Sequence, residues 1–343
     1  MANNSDRLVT RLLDIGLSEA LVDLSLPEWW VAEDNESPSA RAMASMLLAR
    51  RLNLDPTTLL DDEVPVGFLH TGVSKFKHMR LAEGARRDAL VGFATGVSRI
   101  VLSMAEAVPD HEVPADPLTL RRALIHGRPY VSFGDVITAC WSLGVPVLHL
   151  RVFPAQTKGV TAIAVKLGGR HAILVARESG VDAQYMFHVA HELGHIALGH
   201  LGDGGAIVDA DPNDSANNPD ELVDDAEERS ADAYAQTLLT GTPSFEVFGA
   251  EESRGRQRFG TARELATRAQ QLSGELEVDP GHLVMVFGHS TGDWELAFAA
   301  ARLLPQQPDR PGTLVNRVMW QQLGELHGGD EQSIAFLQAV API

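Results

Sequence analysis

The chain carries His191-Glu192-Leu193-Gly194-His195, a spacing that is useful only on an α-helix. Positions i and i+4 lie on one helix face, about 6 Å apart along the axis. Two imidazoles there can share one Zn²⁺ at ~2.0–2.1 Å. Glu192 falls about 100° round the helix, at the edge of the same face. It is placed to reach a water beside the metal rather than the metal itself, which is where a general base belongs. The plainer alternative is an amphipathic helix with two incidental histidines.

A catalytic zinc takes a third protein ligand and keeps an open fourth position. Glu228-Arg229-Ser230-Ala231-Asp232 supplies the third on a following helix. Asn218 as N-cap, Pro219 at N1 and Glu221 at N3 mark its start, and Gly241 its end. Glu228 and Asp232, again i and i+4, can face the first helix together. Glu228 offers the ligand oxygen, and Asp232 accepts the free N–H of a liganding imidazole and fixes its tautomer. The alternative is a solvated acidic face, since Asp224, Asp225 and Glu227 stand nearby.

Upstream, Val131 to Leu143 reads as a helix. Leu148, Leu150 and Val152 alternate with His149 and Arg151 as a half-buried strand does. Val160–Leu167 and His171–Ala176 are two further strands joined at Gly168-Gly169, a hairpin signal. A long helix follows over about 183–200, then a polar loop, then the second motif helix.

The runs YMFHVAHELGHIALGH (185–200) and EERSADAYAQTLL (227–239) resemble the ImmA/IrrE family of bacterial metallopeptidases. The resemblance rests on Ala190, His191, Glu192, Leu193, Gly194, His195, Leu198 and His200, then Glu228, Ala231, Asp232, Tyr234 and Ala235. It covers roughly 119–245, about a third of the chain, and the strand AILVA (172–176) fits the family layout. It implies a zinc peptidase with His191, His195 and Glu228 as ligands, Glu192 as base, and a helix-turn-helix repressor as substrate. One departure is the connection 203–228, which holds ten Asp/Glu and no Lys/Arg. It reads as a solvated loop, a lid, or a surface that attracts a basic protein.

Other residues near the motif carry weaker signals. His188 shares the face of His191. Tyr185, Tyr234 and Arg229 are further candidates for substrate or oxyanion contacts, and His171 lies in a strand where a substrate could pair with a sheet edge. Gly194 is costly in a helix interior and points to close packing beneath the metal. Cys140 sits in an apolar helical run and reads as core.

Residues 1–85 read as short helices similar to a degenerate Xre-type helix-turn-helix. Gly16-Leu17-Ser18 and LLARRLNLDPTTLL (47–60) carry the likeness. Where a recognition helix belongs, PEWWVAEDNE (27–36) has four acids, two tryptophans and no cation. Phosphate contacts need cations, so direct DNA binding is not expected. Residues 86–108 read as a connector helix and 109–118 as a linker. Residues 246–343 read as a helical region without a motif.

Composition agrees with this. With 28 Lys+Arg against 46 Asp+Glu the formal net charge is −18, which suits cationic partners and disfavours nucleic acid. A single cysteine excludes an internal disulfide framework. No apolar run reaches the ~18 residues of a membrane span, so the expected location is the cytoplasm. The expectation is an α+β chain: a small-sheet, zincin-like metallopeptidase domain (119–245) between a helical domain (1–85, with connector 86–118) and a C-terminal helical domain (246–343). One Zn²⁺ per chain is expected, with Mn²⁺ or another divalent ion left open. The substrate is a regulatory protein, a DNA-binding repressor or antitoxin. Two other readings stay open: a non-cleaving, zinc-stabilised binding protein, and a transcription regulator with a peptidase-like sensor.

Overall fold

A computed structural model of the chain describes residues 5–31, 37–69, 73–77, 84–107, 112–154, 159–210, 226–243, 259–324 and 329–343. Four short helices come first: α1 (Ser5–Asp14), α2 (Glu19–Ser25), α3 (Pro38–Leu52) and α4 (Pro56–Leu60). A break at Asn53–Asp55 separates α3 from α4. Asn53 takes a left-handed conformation that ends α3, and the Asp55 side chain caps α4 at Thr57 N. Strand β1 (Val73–Lys77) and the long helix α5 (Gly84–Met104) follow. The strand is a correction to the all-helical reading of 1–85.

Next come α6 (Pro117–Leu124), α7 (Phe133–Ser142), β2 (Val147–His149), β3 (Val160–Leu167) and β4 (Arg170–Val175). The β3–β4 hairpin turns where expected, with positive φ at both Gly168 (55°) and Gly169 (82°), as a two-residue hairpin turn requires. The motif helix is α8 (Asp182–Ala197) and the second motif helix is α9 (Ala226–Thr240), closed by Gly241 at φ 85°. The predicted cap at Asn218, Pro219 and Glu221 lies outside the described residues. Between the two helices stands β5 (Gly205–Ala210), so the acidic connection is not all loop. Then come α10 (Ala262–Leu276), α11 (Pro280–Thr291), α12 (Trp294–Ala301), α13 (Pro311–Leu323) and α14 (Glu331–Val340).

The chain is therefore α+β, with one mixed five-stranded sheet in the order β1-β5-β3-β4-β2. The inner pairs β5–β3 and β3–β4 are antiparallel, and the outer pairs β1–β5 and β4–β2 are parallel. Consecutive residues Val160–Val165 are all buried, so both sheet faces are covered; α5 and α8 each pack on β3 and β4. Strand β2 is likewise buried throughout, so its alternating sequence does not mark a wet face.

The main core draws on α1 through α9, the sheet, α13 and α14, from Leu8 to Ala341. A second core gathers Leu265, Leu283, Phe287, Ala297 and Leu304 of the α10–α12 region against Val181 and Ala183 at the start of α8. Trp29 is partly exposed and meets Trp30 edge-on at 6.1 Å, while Trp30 packs on the main core. Among the described residues no helix is long and apolar enough to cross a membrane.

Candidate metal centre

Helices α8 and α9 lie against each other, and Gly194 is what lets them approach. A Cβ there would meet Ala231 O and Tyr234 Cβ at 3.1 Å and Ala231 Cα at 3.2 Å. The close approach sets Glu228 opposite the histidine pair. His191 Nε2 and His195 Nε2 are 3.0 Å apart. Glu228 Oε2 is 3.4 Å from the first, and Oε1 is 3.3 Å from the second.

A fourth side chain completes the group. Asp209 Oδ2 lies 3.1 Å from His191 Nε2 and 3.8 Å from His195 Nε2. Ligand atoms of His191, His195, Asp209 and Glu228 all fall within 4.8 Å of one another. Metal bonds of ~2.0–2.1 Å place tetrahedral ligand atoms about 3.3–3.4 Å apart, and the five separations above scatter around that value.

The β-structure positions Asp209. It pairs with Ala162 on β3 next to a register shift between Val160 and Ala162, and the bulged Thr161 donates its hydroxyl to Asp209 O at 3.1 Å. Bulges of this kind re-aim side chains at a strand end. Sequence reading assigned 203–228 to a loop and missed this residue. The signal was the short run Ala206-Ile207-Val208, fully buried here.

Each imidazole is oriented from behind. His191 Nδ1 donates to Asp232 Oδ1 at 2.9 Å, the role expected of Asp232. His195 Nδ1 is 2.9 Å from His200 Nδ1. A left-handed turn at Gly199, φ 73°, and the bond His200 N→His195 O at 3.0 Å bring His200 back onto the helix. His195 can offer Nε2 to a metal only if its Nδ1–H donates to His200. Ser230 Oγ stands 3.4 Å from His200 Nε2, and Lys75 of β1 bonds both His200 O and Glu227.

The electrostatics call for a cation. Both oxygens of Asp209 and both of Glu192 are buried without a hydrogen-bond partner, an arrangement that costs several kcal/mol if nothing offsets it. Burial, reinforced by the Asp209 charge, pushes Glu192 well above the usual carboxylate range. Burial works against a charged His191, but Asp209, Asp232 and Glu228 outweigh it and raise its pKa well above normal. Burial also acts to raise Glu228, yet hydrogen bonds from His191 and His195 pull it below normal. Two nitrogen donors with carboxylate oxygens fit a divalent ion of the zinc or manganese kind, and the identity stays open.

The remaining predicted residues go elsewhere. Tyr185 is fully buried and its hydroxyl bonds His149 Nδ1 at 2.9 Å. Tyr234 donates to Pro114 O at 2.9 Å. His171 sits on the interior strand β4 opposite Lys166, where burial lowers its pKa to about 4. His188 packs edge-on against Phe187, which also borders His191 and stacks on His282. Arg229 is exposed. Cys140 is buried, and burial pushes its thiol up to about 12. No family model, curated protein or solved structure matches the chain.

Proposed function

We propose that this chain is a zinc-dependent endopeptidase of the ImmA/IrrE type with a zincin-like core, acting on a regulatory protein such as a repressor or antitoxin. The observation that carries the reading is Glu192, a buried carboxyl without a hydrogen-bond partner next to the group of His191, His195, Asp209 and Glu228. A pure metal scaffold has no use for it. When bound, the zinc supplies Lewis-acid chemistry toward the scissile carbonyl and lowers the pKa of water. His191, His195 and Glu228 hold the ion. Asp232 and His200 fix the imidazole tautomers. Glu192 takes the proton of the attacking water and passes it to the leaving amine. The net charge of −18 favours a basic substrate surface.

A second reading has its own support. Asp209 in the ligand group gives four protein ligands, the closed arrangement typical of structural zinc, and so favours a binding protein built on a metal. One experiment separates them. Tagged wild type and Glu192→Gln are expressed in the native host and their bound proteins compared. The peptidase reading expects one DNA-binding protein held intact by Glu192→Gln and found as two fragments with wild type. The same partner held intact by both forms would favour the binding protein. With that substrate purified, Glu192→Gln should keep its metal and lose ~10²–10⁴-fold in cleavage rate.

A further inference from the structure

We propose that Asp209 is a displaceable fourth ligand that closes the metal to water and substrate in the resting chain. This deepens the peptidase reading, and rests on it for its regulatory meaning only. A hydrolytic site needs one corner of the metal for water or the scissile carbonyl. Here that corner is filled from inside the chain. Asp209 Oδ2 stands at 3.1 and 3.8 Å from the two imidazole nitrogens, the same range as the Glu228 oxygens at 3.4 and 3.3 Å. Both its oxygens are buried without a hydrogen-bond partner.

The placement is specific. The β3 bulge at Thr161 and the bond to Asp209 O hold the backbone at this register. A one-residue slip along β5 would turn the carboxylate to the opposite face. The placement also carries a built-in strain. Asp209, Glu192 and Glu228 bring three buried carboxylates to a site for one divalent ion. The carboxylates of Asp209 and Glu228, held within 4.8 Å in the same group, repel each other in a low dielectric, and Asp209 is the one of the three acids borne by a strand rather than by the paired helices α8 and α9. Moving Asp209 away frees a corner of the metal and relieves the crowding on Glu192 in one step.

The test uses the full chain loaded with Co²⁺, whose visible absorption falls as coordination rises from four to five, and acetohydroxamate as a bidentate probe of an open corner. If Asp209 keeps the corner filled in ~99% of molecules, the apparent affinity of wild type for the probe is reduced about 100-fold. Wild type should therefore keep its four-coordinate spectrum while Asp209→Asn and Asp209→Ala titrate readily. Equal titration of all three would overturn the proposal, as would failure of wild type to take up Co²⁺. Should neither variant fold, wild type decides alone: ready titration overturns the latch, and indifference supports it. The readout contains no peptide turnover. Variants that open without any Glu192-dependent cleavage would leave the latch standing and the peptidase reading fallen. A wild type that titrates readily and cuts its substrate would do the reverse.

Discussion

At the scale of single residues, the two imidazoles of the candidate metal group are held by unequal partners. Asp232 offers His191 a charged acceptor at 2.9 Å, whereas His200 offers His195 a neutral one at the same distance. Charge-assisted bonds are about twice as strong, but the Asp232 side chain is 41% exposed, which screens it. Asp232→Ala should weaken metal binding about tenfold, at the low end for such partners. His200→Ala should cost about fivefold, the worth of one neutral bond. Competition with a chelator measures both, and the opposite order would mean that His200 dominates. Asp232 was legible in the sequence because i, i+4 spacing is a local rule that a helix cannot evade. His200 was visible as a motif position without a role, since the turn at Gly199 that returns it to His195 is set by backbone geometry. Asp209 was not legible. Its strand is short and lies in a run of ten acids, so charge concealed the three apolar residues that mark it.

At the scale of elements, the α8–α9 contact is the hinge of the site. Gly194→Ala should gain ~1 kcal/mol of helix propensity. The new Cβ would press on Ala231 backbone and on Tyr234 Cβ at 3.1 Å, atoms that cannot rotate away. Overpacking of this kind costs ~1–3 kcal/mol, so the net expectation is a lower melting temperature and weaker metal binding. A raised melting temperature would show that α9 yields. The start of α11 makes a second, pH-dependent case. Asp279 caps it by accepting from His282 N at 3.0 Å, and burial raises its carboxyl to about 6. His282 Nε2 donates to Gln236 Oε1 at 3.0 Å, and burial lowers the pKa of His282 to about 3. The two act oppositely. The protonated Asp279 contributes stability below its unfolded pKa that is lost as pH rises through 6. The neutral His282 contributes stability above its unfolded pKa that is lost as pH falls toward 3. Asp279→Asn keeps a capping side chain and removes the first effect. It should match wild type near pH 4 and exceed it above pH 6 by about 1–3 kcal/mol. Denaturant titrations at both pH values test this, and a difference independent of pH would refute it.

At the scale of the whole molecule, the first helices and the last two are built into the core that carries the site. Arg51 of α3 donates to Ser25 O, Leu26 O and Gln332 O and lies over the Phe336 ring at 5.3 Å, tying the first helices to the last. Asn316 of α13 does the same for the sheet. Its Oδ1 accepts from His149 N at 2.7 Å, and its Nδ2 donates to His149 O at 2.9 Å and Pro342 O at 2.7 Å. His149 in turn holds the hydroxyl of Tyr185, on the helix that carries His191 and His195. The chain of bonds thus runs from the C-terminal helices through β2 to α8, the helix that carries the candidate ligands His191 and His195. Asn316→Ala would strand both backbone groups of His149, which is buried. Each unsatisfied buried group costs about 1–3 kcal/mol, so a loss of ~2–5 kcal/mol is expected with every candidate ligand untouched. If the coupling is as drawn, metal should then dissociate faster from Asn316→Ala than from wild type, in step with the fall in stability. A destabilised variant whose metal release is unchanged would mean that α8 keeps its place without β2. The outer helices would then brace the fold and not the site.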